Sequence, residues 1–195
     1  MMELDAVVLG AGMVGVSVAL HLQQRGWRVA LVDRKAPGLE TSFGNAGLVQ
    51  SEAVYPYAFP RDWGQILHYA SNQALDVRYH WSAMPREAPF LARYWYHSHP
   101  QRHMQIAKAW SGLILRSQDE HRALLQHTDG TPSVRETGWL KLFRSAQKLD
   151  EEVRHAQRCQ REYGVAFDLL DATTLSRREP ALQVPLAGAV HYTQA

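Results

Sequence analysis

The chain reads as an α/β protein: one β-α-β unit at the N-terminus, then mixed α and β, with too few parallel strands for a complete doubly wound sheet. Three observations carry this. A short apolar run, Ala6 to Leu9, leads directly into Gly10-Ala11-Gly12-Met13-Val14-Gly15, a G-x-G-x-x-G. Apolar residues then recur at helical spacing through Val14, Val18, Leu20 and Leu22 as far as Gln24. A second apolar run, Val29 to Val32, ends on an acid, Asp33. Strand, glycine turn, helix, strand and acid within about 30 residues is the setting in which this fingerprint holds a dinucleotide.

The mechanics of the first unit follow from its residue types. Gly10 permits the tight turn off the strand, Gly12 leaves room for a pyrophosphate against the backbone, and Gly15 lets helix and strand lie close. The helix N-terminus offers unpaired N–H groups and partial positive charge to phosphates. Gly26 stands at the helix C-cap position, with apolar Trp27 placed to close it. Asp33 can accept from both hydroxyls of an adenosine ribose, and its charge repels a 2′-phosphate, which disfavours NADP.

After a polar loop, Arg34-Lys35-Ala36-Pro37-Gly38, comes Glu40-Thr41-Ser42-Phe43-Gly44-Asn45-Ala46-Gly47-Leu48. Small donors and glycines next to the ribose acid suit a loop that wraps a pyrophosphate with hydroxyls and backbone N–H groups. Read without its neighbour, the same stretch is an ordinary helix start with Thr41 or Ser42 as N-cap.

Together the two stretches resemble the FAD-dependent amino-acid and amine oxidoreductases of the D-amino-acid oxidase superfamily, most closely the bacterial D-amino-acid dehydrogenase branch, which carries Glu-Thr-Ser-Phe-x-Asn-Ala-Gly after its second strand. The likeness is close over residues 5–50. It is looser through Glu136 to Leu140, Glu179 to Leu182, and Gly188 to His191. It implies a Rossmann-like FAD-binding β-α-β unit followed by part of an α+β substrate domain, with 1–60 belonging to the first and 61–195 to the second. It also implies FAD as cofactor. Gly10, Ala11, Gly12, Met13, Val14 and Gly15 would face the pyrophosphate, with Asp33 at the adenosine ribose and Arg34 beside it among the cofactor-binding residues. Thr41, Ser42, Asn45, Ala46, Gly47 and Leu48 would line the path to the flavin. Asp33 stands where Glu is more usual.

The reaction so implied is oxidative deamination of a D-amino acid: hydride loss from the α-carbon to flavin N5, then hydrolysis to a 2-oxo acid and ammonia. A glycine or sarcosine oxidase, a hydroxyproline dehydrogenase, an NAD-dependent dehydrogenase and an inactive truncated product are the alternatives. Such a site needs a cation for the substrate carboxylate, and arginine's fork suits it. Arg78, Arg86 and Arg93 match no motif and read as surface residues. His191 and Tyr192, on the final strand, are the catalytic candidates. The remaining flavin contacts and the substrate cation are expected beyond Ala195, in a longer enzyme. The 195 residues alone are expected to bind FAD poorly.

The rest of the chain divides by pattern. Residues 51–63, rich in Tyr, Phe and Pro, read as an extended linker. Trp63 to Ala70 is a short helix and Val77 to Trp81 a short strand. Pro85 to Pro100 is an aromatic-rich helix with Phe90, Tyr94 and Trp95 on a buried face. A single long helix runs from Arg102 to His127, stopped by a turn at Asp129-Gly130-Thr131-Pro132. Trp139 to Phe143 is a strand, Ser145 to Tyr163 an amphipathic helix capped by Gly164, and Val165 to Leu170 a strand. Thr173 or Thr174 starts a short helix, and Gly188 to Tyr192 is the last strand.

Composition narrows the partners. With 195 residues, 46% hydrophobic and 21% charged, the chain can build a real core. A net charge of +2 with no long basic run excludes a nucleic-acid footprint. One cysteine, Cys159, excludes an internal disulfide and fits a reducing compartment. The acids at Glu3 and Asp5 do not suit a signal peptide, so a cytoplasmic protein is expected. The expected partners are a small-molecule amino acid and an electron acceptor, quinone or O₂. The aromatics between Tyr55 and Trp110 would serve peripheral contact with an inner membrane, although core packing explains them as well. His97, His99 and His103 lack the carboxylate or thiolate neighbours of a metal shell, and no metal is expected.

Overall fold

In a computed structural model, described for residues 3–126 and 134–195, the chain forms two compact units. One holds the described residues of Met1–Val49 and Gln118–Arg135; the other comprises Gln50–Ser117 and Glu136–Ala195.

The first unit is a β-α-β crossover. Strand β1 (Ala6–Leu9) and strand β2 (Val29–Val32) pair in parallel, Ala6 opposite Val29 through Leu9 opposite Val32. Helix α1 (Met13–Gln24) connects them. Its end is fixed by paired capping bonds: the Gly26 N–H donates to the Gln23 carbonyl and the Trp27 N–H to the Leu22 carbonyl. Gly26 adopts φ +84°, the left-handed conformation this cap requires. Arg28 closes the base of the strands, its guanidinium bonded to both Asp5 carboxylate oxygens at 3.1 Å.

The second unit is built on an antiparallel sheet. Strands β3 (Trp139–Phe143), β4 (Phe167–Asp171) and β5 (Gly188–Tyr192) are ordered β3-β5-β4, so the last strand is central and wholly buried. Alternation along β5 gives the sheet two covered faces. Val190 and Tyr192 pack with Ala156 and Cys159 of helix α6 (Ala146–Tyr163) and with Val165. Ala189 points the other way, onto Leu170 of β4 and Leu175 of helix α7 (Ala172–Arg178). Helix α6 ends at Gly164 in the left-handed region, and Asp171 caps α7, its carboxylate accepting from the Thr174 N–H at 2.7 Å. The α7 N-cap is therefore Asp171 rather than either threonine.

Four readings of the sequence are corrected. Residues 51–54 do not form a linker: Val54 is fully buried in the α6-side core, with Ser51 and Glu52 nearly so. Val54 follows Ser51-Glu52-Ala53 and precedes Tyr55-Pro56, too short an apolar stretch to show a helical or strand period. Residues 77–80 form no strand. They lead into a single 3-10 turn (Trp81–Ala83) and helix α3 (Met84–His97), and Tyr79 is held by the Asn72 side chain. The aromatic face of α3 is not buried: Phe90 and Trp95 are exposed. The long helix is two helices, α4 (Pro100–Ile114) and α5 (Ser117–Leu125). The Arg116 N–H turns back to the Leu113 carbonyl, and the Ser117 hydroxyl donates to the Ile114 carbonyl. These local bonds compete with the helical ladder just where the apolar repeat lapses into Ser117-Gln118-Asp119-Glu120. Helix α2 (Trp63–Ala70) forms as expected, capped by Asp62. The turn assigned to Asp129 to Pro132 lies outside the described residues.

Candidate functional site

The turn between β1 and α1 is held by two side chains from distant segments. Asp33, at the tip of β2, accepts from the Ala11 N–H at 2.6 Å with one carboxylate oxygen and from the Lys35 N–H at 3.0 Å with the other. Ser42, from the following loop, accepts from the Met13 N–H at 2.9 Å and so caps α1 across 29 residues. The hydroxyl that, in the stretch read alone, would cap a local helix instead caps the helix of the fingerprint. The Gly38 N–H adds a bond to the Ala11 carbonyl, and the Gly10 N–H donates to Val32.

This bracing decides which backbone donors remain. The amides of Gly12, Val14 and Gly15 have no partner among the described residues. They belong to a loop and a first helical turn, where unpaired N–H groups and the helix dipole together favour an anion. The two glycines are needed for contact within the protein as well. A Cβ on Gly15 would run into the Gly10 carbonyl oxygen, and one on Gly12 would sit 2.9 Å from the Ser42 hydroxyl. The bonds from the Ala11 and Lys35 amides hold the Asp33 carboxyl below the usual carboxylate range. Each Asp33 oxygen accepts one such bond and retains a lone pair for a further donor.

The other expected cofactor residues divide into those that shape the loop and those that face outward. Arg34 is committed to a bidentate pair with Glu40, at 3.0 and 2.9 Å. Asn45 donates to the Ser42 carbonyl and accepts from the Gly47 N–H, both at 2.7 Å, which fixes the loop's curl. Thr41, Ala46 and Leu48 are exposed beside them. An adenine dinucleotide fits the chemistry of this set: free amides for a pyrophosphate, an ionised acid at the strand tip for vicinal hydroxyls, and no side chain on Gly12 between them.

In the second unit, His191 and Tyr192 are neighbours on β5 that point to opposite faces. Tyr192 lies in the core, stacked on Trp139, with its hydroxyl donating to Glu152 at 2.7 Å. Burial, then that carboxylate, raises its pKa. His191 opens onto the α7 side, where its Nε2 lies 3.0 Å from the Thr137 carbonyl oxygen and the Arg178 guanidinium lies alongside the ring, 3.2 Å from Nδ1 and 3.3 Å from Nε2. Nothing in the sequence singled out Arg178. A separate buried group was also missed: Glu52, whose carboxylate accepts from the Trp139 indole at 2.9 Å and from Gln50 at 2.7 Å, leaving its second oxygen without a partner. Desolvation raises its pKa. Cys159 is buried, and burial pushes its thiol up to about 11, the profile of an inert core residue. Among the described residues no group of three or more His, Cys, Asp or Glu is placed to hold a metal ion. Nor is any helix long and apolar enough to cross a membrane.

The chain is similar to a protein named D-amino-acid oxidase from Bradyrhizobium diazoefficiens, with 30% identity over 178 residues, 90% of this chain and 42% of that one. It is similar to a D-amino acid dehydrogenase from Granulibacter bethesdensis, with 30% identity over 192 residues, 94% of this chain and 45% of that one. Two solved structures share its fold: glycine oxidases from Bacillus cereus (TM-score 0.55, 98% of this chain, 39% of that one) and Geobacillus kaustophilus (TM-score 0.57, 100% and 40%). Both are 19% identical to it. The chain thus spans less than half the length of these relatives. The profile of one family, described as FAD dependent oxidoreductase (DAO), matches residues 5–195, and the chain belongs to that family.

Proposed function

We propose that the first unit is a Rossmann-like cradle for the ADP half of FAD, and that the protein oxidises an amino acid, in first place a D-amino acid. One observation carries the cradle: Asp33 and Ser42 brace the glycine turn from two sides and leave the Gly12, Val14 and Gly15 amides free. In this reading those amides hold the pyrophosphate. Asp33 accepts the ribose hydroxyls with its remaining lone pairs, and the loop from Thr41 to Leu48 continues along the cofactor. The Arg34–Glu40 pair keeps the guanidinium off the phosphates, so Arg34 shapes the loop. When bound, FAD would supply the acceptor for hydride from the substrate α-carbon, the imino acid then hydrolysing to a 2-oxo acid and ammonia.

The D-amino acid is put forward from the two relatives at 30% identity. The glycine oxidase structures, at 19%, speak for the fold alone. Neither His191 nor Tyr192 is assigned a chemical role, since Tyr192 is committed to Glu152 and His191 to Thr137 and Arg178.

Calorimetric titration of the 195-residue chain with FAD, ADP, FMN and NADP tests the cradle. FAD and ADP should bind at least tenfold more tightly than FMN, with Asp33→Asn removing that preference. Equal affinity for FMN, or an Asp33→Asn chain indistinguishable from the parent, would refute it. For the activity, anaerobic bleaching of the flavin is followed, in a longer protein that carries this chain, with D-alanine, glycine, sarcosine and hydroxyproline. Reduction by D-alanine is expected, and reoxidation by O₂ or a quinone analogue identifies the acceptor.

A further inference from the structure

Glu52 is a buried titratable group that the cofactor reading does not use. The residue is 7% exposed, with Ser51 before it and Val54 after it buried as well. Its hydrogen bonds are lopsided. The two side-chain donors, the Trp139 indole N–H at 2.9 Å and the Gln50 amide at 2.7 Å, both meet Oε1, while Oε2 is sealed from solvent with no partner among the described residues. That pattern suits the neutral acid. A carbonyl-type oxygen has two lone pairs for two donors, and the other oxygen carries the proton. An ionised carboxylate would leave half its charge on an atom that no donor reaches, and a buried unpaired charge costs far more than a buried unpaired hydroxyl.

The charged and titratable groups around it do not supply the missing donor. Lys141 of β3 is two residues from Trp139 and so on the same face of the sheet, but its ammonium is committed to Glu152 at 2.7 Å. Helix α6 presents Glu152, His155 and Cys159, and β5 presents Tyr192, whose hydroxyl also goes to Glu152. The Glu52 backbone N–H, the two side-chain donors and the Lys141 charge all favour the anion, yet burial outweighs them.

We propose that Glu52 is a proton-operated latch: in its neutral form it holds residues 50–52 against β3, and loss of the proton releases them while the rest of the second unit stays folded. The Ser51 hydroxyl, which donates to the Gln194 carbonyl at 2.6 Å, opens with the latch. The opening stops at Ala53, whose carbonyl accepts from the Trp110 indole at 2.9 Å, and at Val54, which is pinned in the α6-side core. Leu48, the end of the loop read above as following the cofactor, lies two residues before Gln50 in the chain. On that reading the latch anchors the far end of the loop; the latch itself does not depend on it.

The direction with pH follows. Opened, the carboxyl meets water and titrates in the ordinary carboxylate range; closed, it titrates higher. Opening therefore sheds a proton. It becomes easier as pH rises from the ordinary range through the closed-state value, and then levels off.

The test is hydrogen exchange of the assigned Trp139 indole N–H in the 195-residue chain, without flavin, from pH 4 to pH 8, each rate divided by the intrinsic rate at that pH. Protection of this N–H should fall at least threefold across the range, and its resonance should move with a midpoint above the ordinary glutamate value. Low urea, which speeds exchange of the β5 amides, should leave the indole rate unchanged, because a local opening exposes little surface. Glu52→Gln should keep the indole protection constant with pH. Constant protection in the parent, an equal fall in Glu52→Gln, or an indole rate that follows urea in step with β5 would overturn the latch. If Glu52→Gln fails to fold, the parent still decides: an indole resonance that stays fixed, or moves at the ordinary glutamate value, overturns it. Because flavin is absent throughout, none of these results bears on the cradle.

Discussion

Gly15 is the least replaceable residue of the first turn, because the obstacle to a side chain there is backbone: the Gly10 carbonyl oxygen. Gly15→Ala should cost about 3 kcal/mol, at the upper end for forced overpacking, and should lower the thermal midpoint while abolishing FAD binding. Gly12→Ala presses only on the Ser42 hydroxyl, a side chain that can rotate. The milder loss expected there is therefore of the α1 cap. Glu52 supplies the opposite kind of test. Its folded-state pKa is raised, first by burial, so the stability it allows is complete below its unfolded pKa and is lost as pH rises through the folded value. Glu52→Gln keeps an acceptor for the Trp139 indole without the charge. Urea denaturation between pH 4 and pH 8 should show a flatter profile for the variant and, at pH 8, a gain of about 1 kcal/mol. A variant less stable than the parent at pH 8 would show that the charged form is accommodated after all.

At the scale of elements, the ends of helices were plainer in the sequence than the gaps between them. The Gly26 and Gly164 terminations are where the glycines stand, because a left-handed residue has few other candidates. Gly26→Ala forces a Cβ into φ +84° and should cost about 1 kcal/mol, read as faster amide exchange in the last turn of α1. The strand expected at Val77 to Trp81 failed for want of a partner. A strand is stabilised across its neighbours, and residues 77–80 find their bonds in Asn72 instead. The aromatic stripe of α3 has the right spacing to be buried, but periodicity says which residues share a face and not what covers it. The break between α4 and α5 is set by carbonyl bonds from Arg116 and Ser117, a competition that helical spacing does not register.

For the whole molecule, the two units differ sharply in how much they bury. Among the described residues of the first unit only Ala11 is fully buried, while Leu9 and Val14 are 80% and 79% exposed. The second unit holds two clusters around β5. A two-stranded parallel sheet with open apolar faces is marginal by itself. Hydrogen exchange should therefore find β1 and β2 amides exchanging well before those of β5, and added FAD should slow the former selectively. Uniform protection across both units, or slowing confined to β5, would contradict this division of stability and the placing of the cradle.

The residues of the glycine turn and the acid after β2 were legible in the chain itself, since spacing of small residues and a strand-tip carboxylate are local requirements. So were most of the strands, whose apolar runs are short and well bounded. What only the tertiary structure decided are the long-range partnerships. Ser42 serves a helix 29 residues away, Val54 and Glu52 are core rather than linker, Tyr192 and His191 part to opposite faces, and Arg178 meets His191. The physical reason is common to all four. Local pattern fixes which way a side chain leaves its own backbone, but what it meets there depends on elements brought in from elsewhere in the sequence.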